Sequence, residues 1–134
     1  NDFQVLSARL SFDRINSVDY KGFANILIDS SFNAHLEWSY DVAYRNFIDI
    51  WGHQGAIQSD KIFSKDKYYA PVIKLSDING NETNVDIEAT NHFALMLKSF
   101  LKRTENKGNS DLDNNNLRKL SELLETIKNL SIQK

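Results

Sequence analysis

The hydrophobic period of this chain changes once, and that change limits the folds open to it. From Leu6 to about Ala89, apolar residues recur at every second position in short runs; from Asn91 onward they recur every third or fourth. A period of two suits a strand with one wet face, and a period of 3.6 suits an amphipathic helix. A chain that places its strands first and its helices last predicts an α+β fold rather than an alternating parallel one.

Within the strand region, Leu6, Ala8, Leu10 and Phe12 alternate with Ser7, Arg9 and Ser11, which predicts a half-buried strand. Gly22 to Ser30 is apolar on both faces and reads as a central strand. After the Ser30-Ser31 break, Phe32, Ala34, Leu36, Trp38 and Tyr40 alternate with polar residues, so the two runs predict an antiparallel hairpin. Arg45 to Trp51 is a further strand, ended by a Gly52-His53-Gln54-Gly55 turn. Ala56-Ile57-Gln58 and Ile62-Phe63 read as short extended pieces, and Pro71 opens the run Val72 to Leu75. Asn79-Gly80 is a hairpin turn signal, closed by Val85, Ile87 and Ala89.

Asn91 can cap a helix carrying Phe93, Met96, Leu97, Phe100 and Leu101, with Lys98, Lys102 and Arg103 toward its negative pole. Glu105 to Asn116 is polar and reads as a loop; Leu117, Leu120, Leu124 and Ile127 mark a last amphipathic helix. The expected architecture is a single domain over residues 1–134, with a mostly antiparallel (mixed) open-faced β-sheet and helices packed on one face. Phe23, Leu27, Phe47 and Trp51 cannot all turn inward with Ile26, Ile48 and Ile50, so some large side chains belong on the second face, where they predict an interface.

Charge and composition exclude several functions. With 16 basic and 18 acidic side chains the 134 residues carry a net charge of -2, which gives no electrostatic footprint for nucleic acid or an anionic membrane. Cysteine is absent, which removes disulfide and thiolate chemistry. No apolar run approaches the ~20 residues of a membrane span, and no signal peptide is visible, so a cytoplasmic location is expected. The chain begins at Asn1 rather than Met, and reads either as processed or as a piece of something longer.

Catalytic chemistry is sparse. No G-x-G-x-x-G stands in the sequence, so no cofactor-binding residues are assigned. Gly52 and Gly55 serve a turn. His35, His53 and His92 lack metal-ligand spacing, so no metal is expected. Asp49 and Asp60 have no carboxylate partner at a meaningful spacing, and no catalytic residue is named. Asn81-Glu82-Thr83 and Asn129-Leu130-Ser131 match a glycosylation acceptor pattern and read as chance matches. One cluster supports a binding role: Tyr40, Tyr44, Arg45 and Asn46 bring two phenols, a guanidinium and an amide to a strand connection, groups suited to a sugar or a carboxylate. The alternative is structural, with the tyrosines packed and Arg45 paired to Asp41 or Asp49.

The words Val18-Asp19-Tyr20-Lys21-Gly22-Phe23-Ala24, Tyr44-Arg45-Asn46 leading to Ile50-Trp51-Gly52-His53-Gln54-Gly55-Ala56-Ile57 with Asp60-Lys61 beyond, and Asn91-His92-Phe93-Ala94-Leu95-Met96-Leu97 with Phe100, resemble the C-terminal domain of the Gfo/Idh/MocA oxidoreductases, which include glucose–fructose oxidoreductase and inositol dehydrogenase. The similarity runs from about Phe3 to the end. It implies a substrate-binding and oligomerisation domain of an NAD(P)-dependent oxidoreductase acting on a sugar, cyclitol or nucleotide-sugar, inactive by itself. NAD(P) is then implied only for the full-length enzyme. An N-terminal Rossmann domain would be the chain's partner, together with a second copy docked through the open sheet face. The family's glycine-rich phosphate loop and its Glu-Lys-Pro motif are absent from these residues. Two other readings stay open: a non-enzymatic dimerisation or scaffold module, and a stand-alone small-molecule binding domain.

Overall fold

The computed structural model describes residues 2–13, 15, 18–105 and 110–132, with the side chains of 110–113 and 132 outside the description. The element order is β1 (Phe3–Phe12), β2 (Asp19–Ile28), β3 (Phe32–Ser39), β4 (Phe47–Gly52), β5 (Gly55–Asp60), β6 (Val72–Asp77), β7 (Glu82–Asp86), α1 (His92–Glu105) and α2 (Ser110–Ile132). Strands precede helices, as the change of period requires. All described pairings are antiparallel, giving an α+β fold with open sheets. The strands form a three-stranded sheet, β1-β2-β3, and a four-stranded sheet, β4-β5-β6-β7. The chain divides into two compact units, Asn1–Ala43 with Gly108–Lys134, and Tyr44–Lys107.

In the first unit α2 covers one face of the sheet. Ala8, Ala24, Ile26 and Ile127 form the buried core, with Phe3, Val5, Leu10, Ile28, Ala34, Trp38, Leu123 and Leu130 against it. The sequence pattern placed Leu6 inward, but a register shift between Val5 and Ser7 changes the phase of β1. Phe3 and Val5 face the core before the shift, Ala8 and Leu10 after it, and Leu6 is left 51% exposed. One extra residue in a strand reverses every later side chain. The stripe of α2 also differs from expectation: Leu123, Ile127 and Leu130 face the sheet at i, i+4 and i+7, while Leu117, Leu120 and Leu124 remain exposed. Helix α2 begins at Ser110, so Asn114-Asn115-Asn116, expected in a loop, is helical. The bidentate reach of Arg118 to Glu122 (2.6 Å) and Asn115 (3.1 Å) ties that polar stretch to the following turn.

Gly22 marks the closest approach in this core. A Cβ there would lie 2.5 Å from Cζ2 of Trp38 and 2.6 Å from Cδ2 of Leu10. The indole lies across the bare backbone, and its Nε1 donates to Asp19 Oδ2 at 2.8 Å.

The second unit is built from hairpins. The β4–β5 turn closes on Gly55, whose φ of 148° places it where a Cβ would strike the Ser76 carbonyl. The β6–β7 turn uses Gly80 at φ 82°. Asp77 organises that turn by accepting the N–H groups of Asn79 and Asn81, both at 2.8 Å, and Nδ2 of Asn81 at 2.7 Å. Strand β7 ends at Asp86, so Ile87 and Ala89 lie beyond it, although the Ile87 N–H still donates to the Pro71 carbonyl. Ile62 and Phe63, expected to be extended, lie in the loop after β5. Register places Ile48, Ile50, Ile57, Ile73, Leu75 and Val85 on one face of this sheet, with Phe47 and Trp51 on the other. The Asn91 side chain caps α1 by accepting the Ala94 N–H at 3.2 Å. None of the described residues of α1 is buried.

Candidate functional site

Of the four residues proposed from sequence, Tyr44, Arg45 and Asn46 belong to the second unit and Tyr40, 84% exposed, to the first. Tyr44 to Asn46 lead into β4 and meet the loop that follows β5. The Asn46 carbonyl accepts the Lys61 N–H at 2.5 Å. Its side chain uses both ends: Oδ1 accepts the Phe63 N–H at 3.0 Å, and Nδ2 donates to the Ser64 carbonyl at 2.9 Å and the Tyr44 hydroxyl at 3.0 Å. Tyr44 in turn donates to the Ser64 carbonyl at 3.3 Å. Asn46 therefore holds the loop, and its amide is engaged by protein groups.

Arg45 takes neither of the carboxylates expected from sequence. Its Cζ sits 4.5 Å over the Phe47 ring, and no ion pair to Asp41 or Asp49 is formed. Asp49 instead accepts Nε2 of Gln58 at 3.2 Å. Opposite Phe47 in the ladder is Asp60, whose two carboxylate oxygens accept the Tyr69 hydroxyl at 2.7 and 2.8 Å. Hydrogen bonding to Asp60 holds the Tyr69 phenol above its ordinary pKa, with some burial and the adjacent negative charge acting the same way. Tyr69 is thereby a fixed donor and a poor proton source. The Nζ of Lys61 lies 4.0 Å over the Tyr69 ring, and Lys61 itself adopts a left-handed φ of 49°, a conformation unusual for a side chain of this kind.

The Asp60–Tyr69 pair was missed by sequence reasoning, which sought only a carboxylate partner for Asp60. No periodicity joins residues across a returning loop; the only signal was a run of lysines and aromatics between Asp60 and Tyr69.

A second polar arrangement lies on the first unit's sheet, on the face away from α2. Nδ2 of Asn25 donates to Ser7 Oγ at 2.9 Å, and Asn25 Oδ1 lies 2.7 Å from Nδ1 of His35. With the Asn25 amide oriented this way, Nδ1 of His35 is the donor to Asn25 Oδ1. Phe23 stacks beside His35 at 6.3 Å. An open groove of about 430 Å³ runs here, lined by Leu6, Ser7, Asn25, Asn33 and His35 among others. His35 falls on the polar face, as its alternation in sequence implied. No group of three or more metal-ligating side chains exists among the described residues, and no described helix is long and apolar enough to cross a membrane.

No family model matches the chain, and no curated protein matches it. Solved structures do. A single-residue variant of KijD10, a 3-ketoreductase from Actinomadura kijaniata in complex with TDP-benzene and NADP, matches 96% of this chain with a TM-score of 0.83 at 20% identity, over 41% of its own length. The chain shares the α+β fold of a domain-sized part of KijD10. KijD10 in its open conformation, with the same ligands, matches 80% of the chain with a TM-score of 0.70 at 20% identity, over 34% of its length. Another KijD10 variant matches 76% with a TM-score of 0.68 at 22% identity, over 31% of its length. The chain thus spans well under half of the KijD10 polypeptide, and at these identities the likeness is one of fold.

Proposed function

We propose that this chain is the single substrate-binding and oligomerisation domain of an NAD(P)-dependent oxidoreductase acting on a sugar, cyclitol or nucleotide-sugar. The observation that carries the reading is the fold likeness over 96% of the chain to a domain-sized part of a 3-ketoreductase solved with NADP and a TDP compound. In this reading a Rossmann domain of the same protein holds the nicotinamide and supplies the redox step. The present residues shape the substrate cavity, to which Tyr44 and Arg45 lend polar groups from the second unit, with Asn46 holding the loop beside them. A sugar hydroxyl offers donors and acceptors in pairs, which phenol and guanidinium groups can match. Open sheet faces serve the second role, docking another copy of the chain in the cytoplasm.

Calorimetry tests the division of labour. Titration of NAD(H) and NADP(H) into this polypeptide should give no uptake, and tight binding by the chain alone would refute it. Light scattering at micromolar concentration should show a dimer or larger species, and a strictly monomeric species would count against the oligomerisation role.

A further inference from the structure

The loop between β5 and β6 is tied down along its backbone and presents Phe63 and Tyr68 outward. At its start the Lys61 N–H is held by the Asn46 carbonyl, and Phe63 and Ser64 are clasped by the Asn46 amide. Further along, Lys65 donates Nζ to the carbonyls of Tyr69 (3.2 Å) and Thr90 (2.7 Å). Asp66 accepts the Tyr68 N–H at 2.8 Å, and Tyr69 is anchored on Asp60. Such a framework would be wasted on a solvent loop with small polar tips, and this loop carries Phe63, 74% exposed, and Tyr68, 78% exposed.

Two of its three lysines make no ion pair among the described residues. Lys65 is committed to carbonyls, but Lys61 and Lys67 rest on the Tyr69 and Tyr68 rings at 4.0 and 4.7 Å, and Arg45 rests on Phe47. Among the described residues these three make no ion pair. The neighbouring carboxylates are occupied: Asp60 by Tyr69, Asp66 by the Tyr68 amide. A chain of net charge -2 thus holds a local excess of cations, interleaved with exposed rings, over three lysines and one aspartate in residues 61–69. A neutral sugar needs no such charge. A diphosphate joined to a flat base needs both charge and ring.

We propose that the 61–69 loop, with Tyr44 and Arg45 beside it, binds the nucleoside diphosphate of a nucleotide-sugar substrate. Lys61, Lys67 and Arg45 take the phosphate oxygens, and Phe63 or Tyr68 stacks on the base. The inference rests on the oxidoreductase reading above and narrows its substrate from any sugar or cyclitol to a nucleotide-linked one.

The test is an amide chemical-shift titration of the chain with thymidine 5′-diphosphate, with inorganic pyrophosphate, NADP and an oligothymidylate as separate arms. The diphosphate should shift amides of residues 61–69. The pair Lys61→Gln and Lys67→Gln should weaken it about tenfold or more, Phe63→Ala with Tyr68→Ala should weaken it by about fivefold or more, and raised salt should weaken it further. These side chains are exposed or half-buried, so urea midpoints should stay near the parent value, and Lys61→Arg should restore phosphate binding. Shifts elsewhere, or none, would overturn the placement while leaving the oxidoreductase reading standing. Pyrophosphate binding as tightly as the nucleotide, with no loss in the ring variants, would reduce the site to an anion patch and overturn the proposal. Tighter uptake of oligothymidylate would make it a single-strand surface and overturn it too. Tight NADP uptake on the same amides would sink both this proposal and the reading it rests on.

Discussion

Replacing Gly22 by Ala should destabilise the first unit by about 2 kcal/mol. The strand conformation at Gly22 is open to any residue, so alanine restricts the unfolded chain and by itself stabilises by roughly 0.4–1 kcal/mol. Against this stands the steric term. The new Cβ would lie 2.5 Å from Cζ2 and 2.9 Å from Cε2 of Trp38. To reach ordinary contact the indole must retreat by roughly 1 Å, and overpacking on that scale costs about 1–3 kcal/mol. Leu10 can turn its terminal methyl aside, but the indole is rigid and is fixed by its hydrogen bond to Asp19. Movement weakens that bond, whose charged acceptor makes it worth about 1.5–3 kcal/mol. Partial loss of the bond, added to the overpacking and offset by the entropy gain, leaves a net cost near 2 kcal/mol.

Urea unfolding followed by tryptophan emission measures it. Trp51 is fully displayed on the other unit, so a Trp51→Phe background leaves Trp38 as the sole reporter of the two tryptophans. Gly22→Ala should lower the midpoint at unchanged slope and shift native Trp38 emission to the red. In a double-mutant cycle followed by circular dichroism, which needs no tryptophan, Trp38→Leu should absorb most of the penalty, because it removes the rigid ring that clashes. An unchanged or raised midpoint, or a penalty that persists in the Trp38→Leu background, would refute the account of Gly22 as the seat of the indole.

Two pH responses follow from the second unit. The Asn81 side-chain amide, then the Asn81 and Asn79 backbone donors, hold the Asp77 carboxyl below its ordinary pKa. Its stabilisation of the β6–β7 turn is present above the unfolded value near 4 and lost as pH falls through the lower folded value. The protection of the Asn79 and Asn81 amides relative to their intrinsic exchange rates should therefore fall in acid, and Asp77→Asn should abolish that pH dependence; parallel curves for the two proteins would contradict it. Tyr69, held protonated by Asp60, has the opposite sign: its contribution is present below about pH 10 and lost as pH rises through the raised folded value. Ultraviolet titration should show a late-ionising phenol that disappears in Tyr69→Phe, and a wild-type curve without it would rule the coupling out.

What could be read from sequence was what local chemistry determines. Asn91 as a cap, Gly52 to Gly55 and Asn79-Gly80 as turns, and Pro71 before a strand each depend on a few adjacent atoms, and each stands where it was expected. The division of Phe23 and Leu27 from Ile26, and of Phe47 and Trp51 from Ile48 and Ile50, follows from alternation alone and holds in the registers. Phase could not be read where an irregularity resets it. The shift at Val5/Ser7 leaves Leu6 on the groove and brings Phe3 and Val5 to the core. In α2, several leucines could serve equally in the apolar stripe, and contact with β1 selects Leu123, Ile127 and Leu130. The candidate site divides the same way. Tyr44, Arg45 and Asn46 were visible because they cluster along the chain, whereas their contacts with Phe47, Phe63 and Ser64 are made by folding.

The same distinction explains why aromatic residues deceive a sequence reading of this chain. Trp38 is in phase with the apolar alternation of its strand and Trp51 is out of phase with Ile48 and Ile50, but phase alone does not make room for an indole. Trp38 becomes part of the core because Gly22, sixteen positions earlier, stands opposite it in the ladder and leaves room for the ring. Trp51 stands opposite Ala56 and remains 84% exposed. The difference lies in the cross-strand partner, so burial here is a property of the pair rather than of the residue. Exchanging the partners is then more informative than deleting either ring: a bulkier residue at 22 displaces Trp38, while a bulkier one at 56 should leave Trp51 where it is.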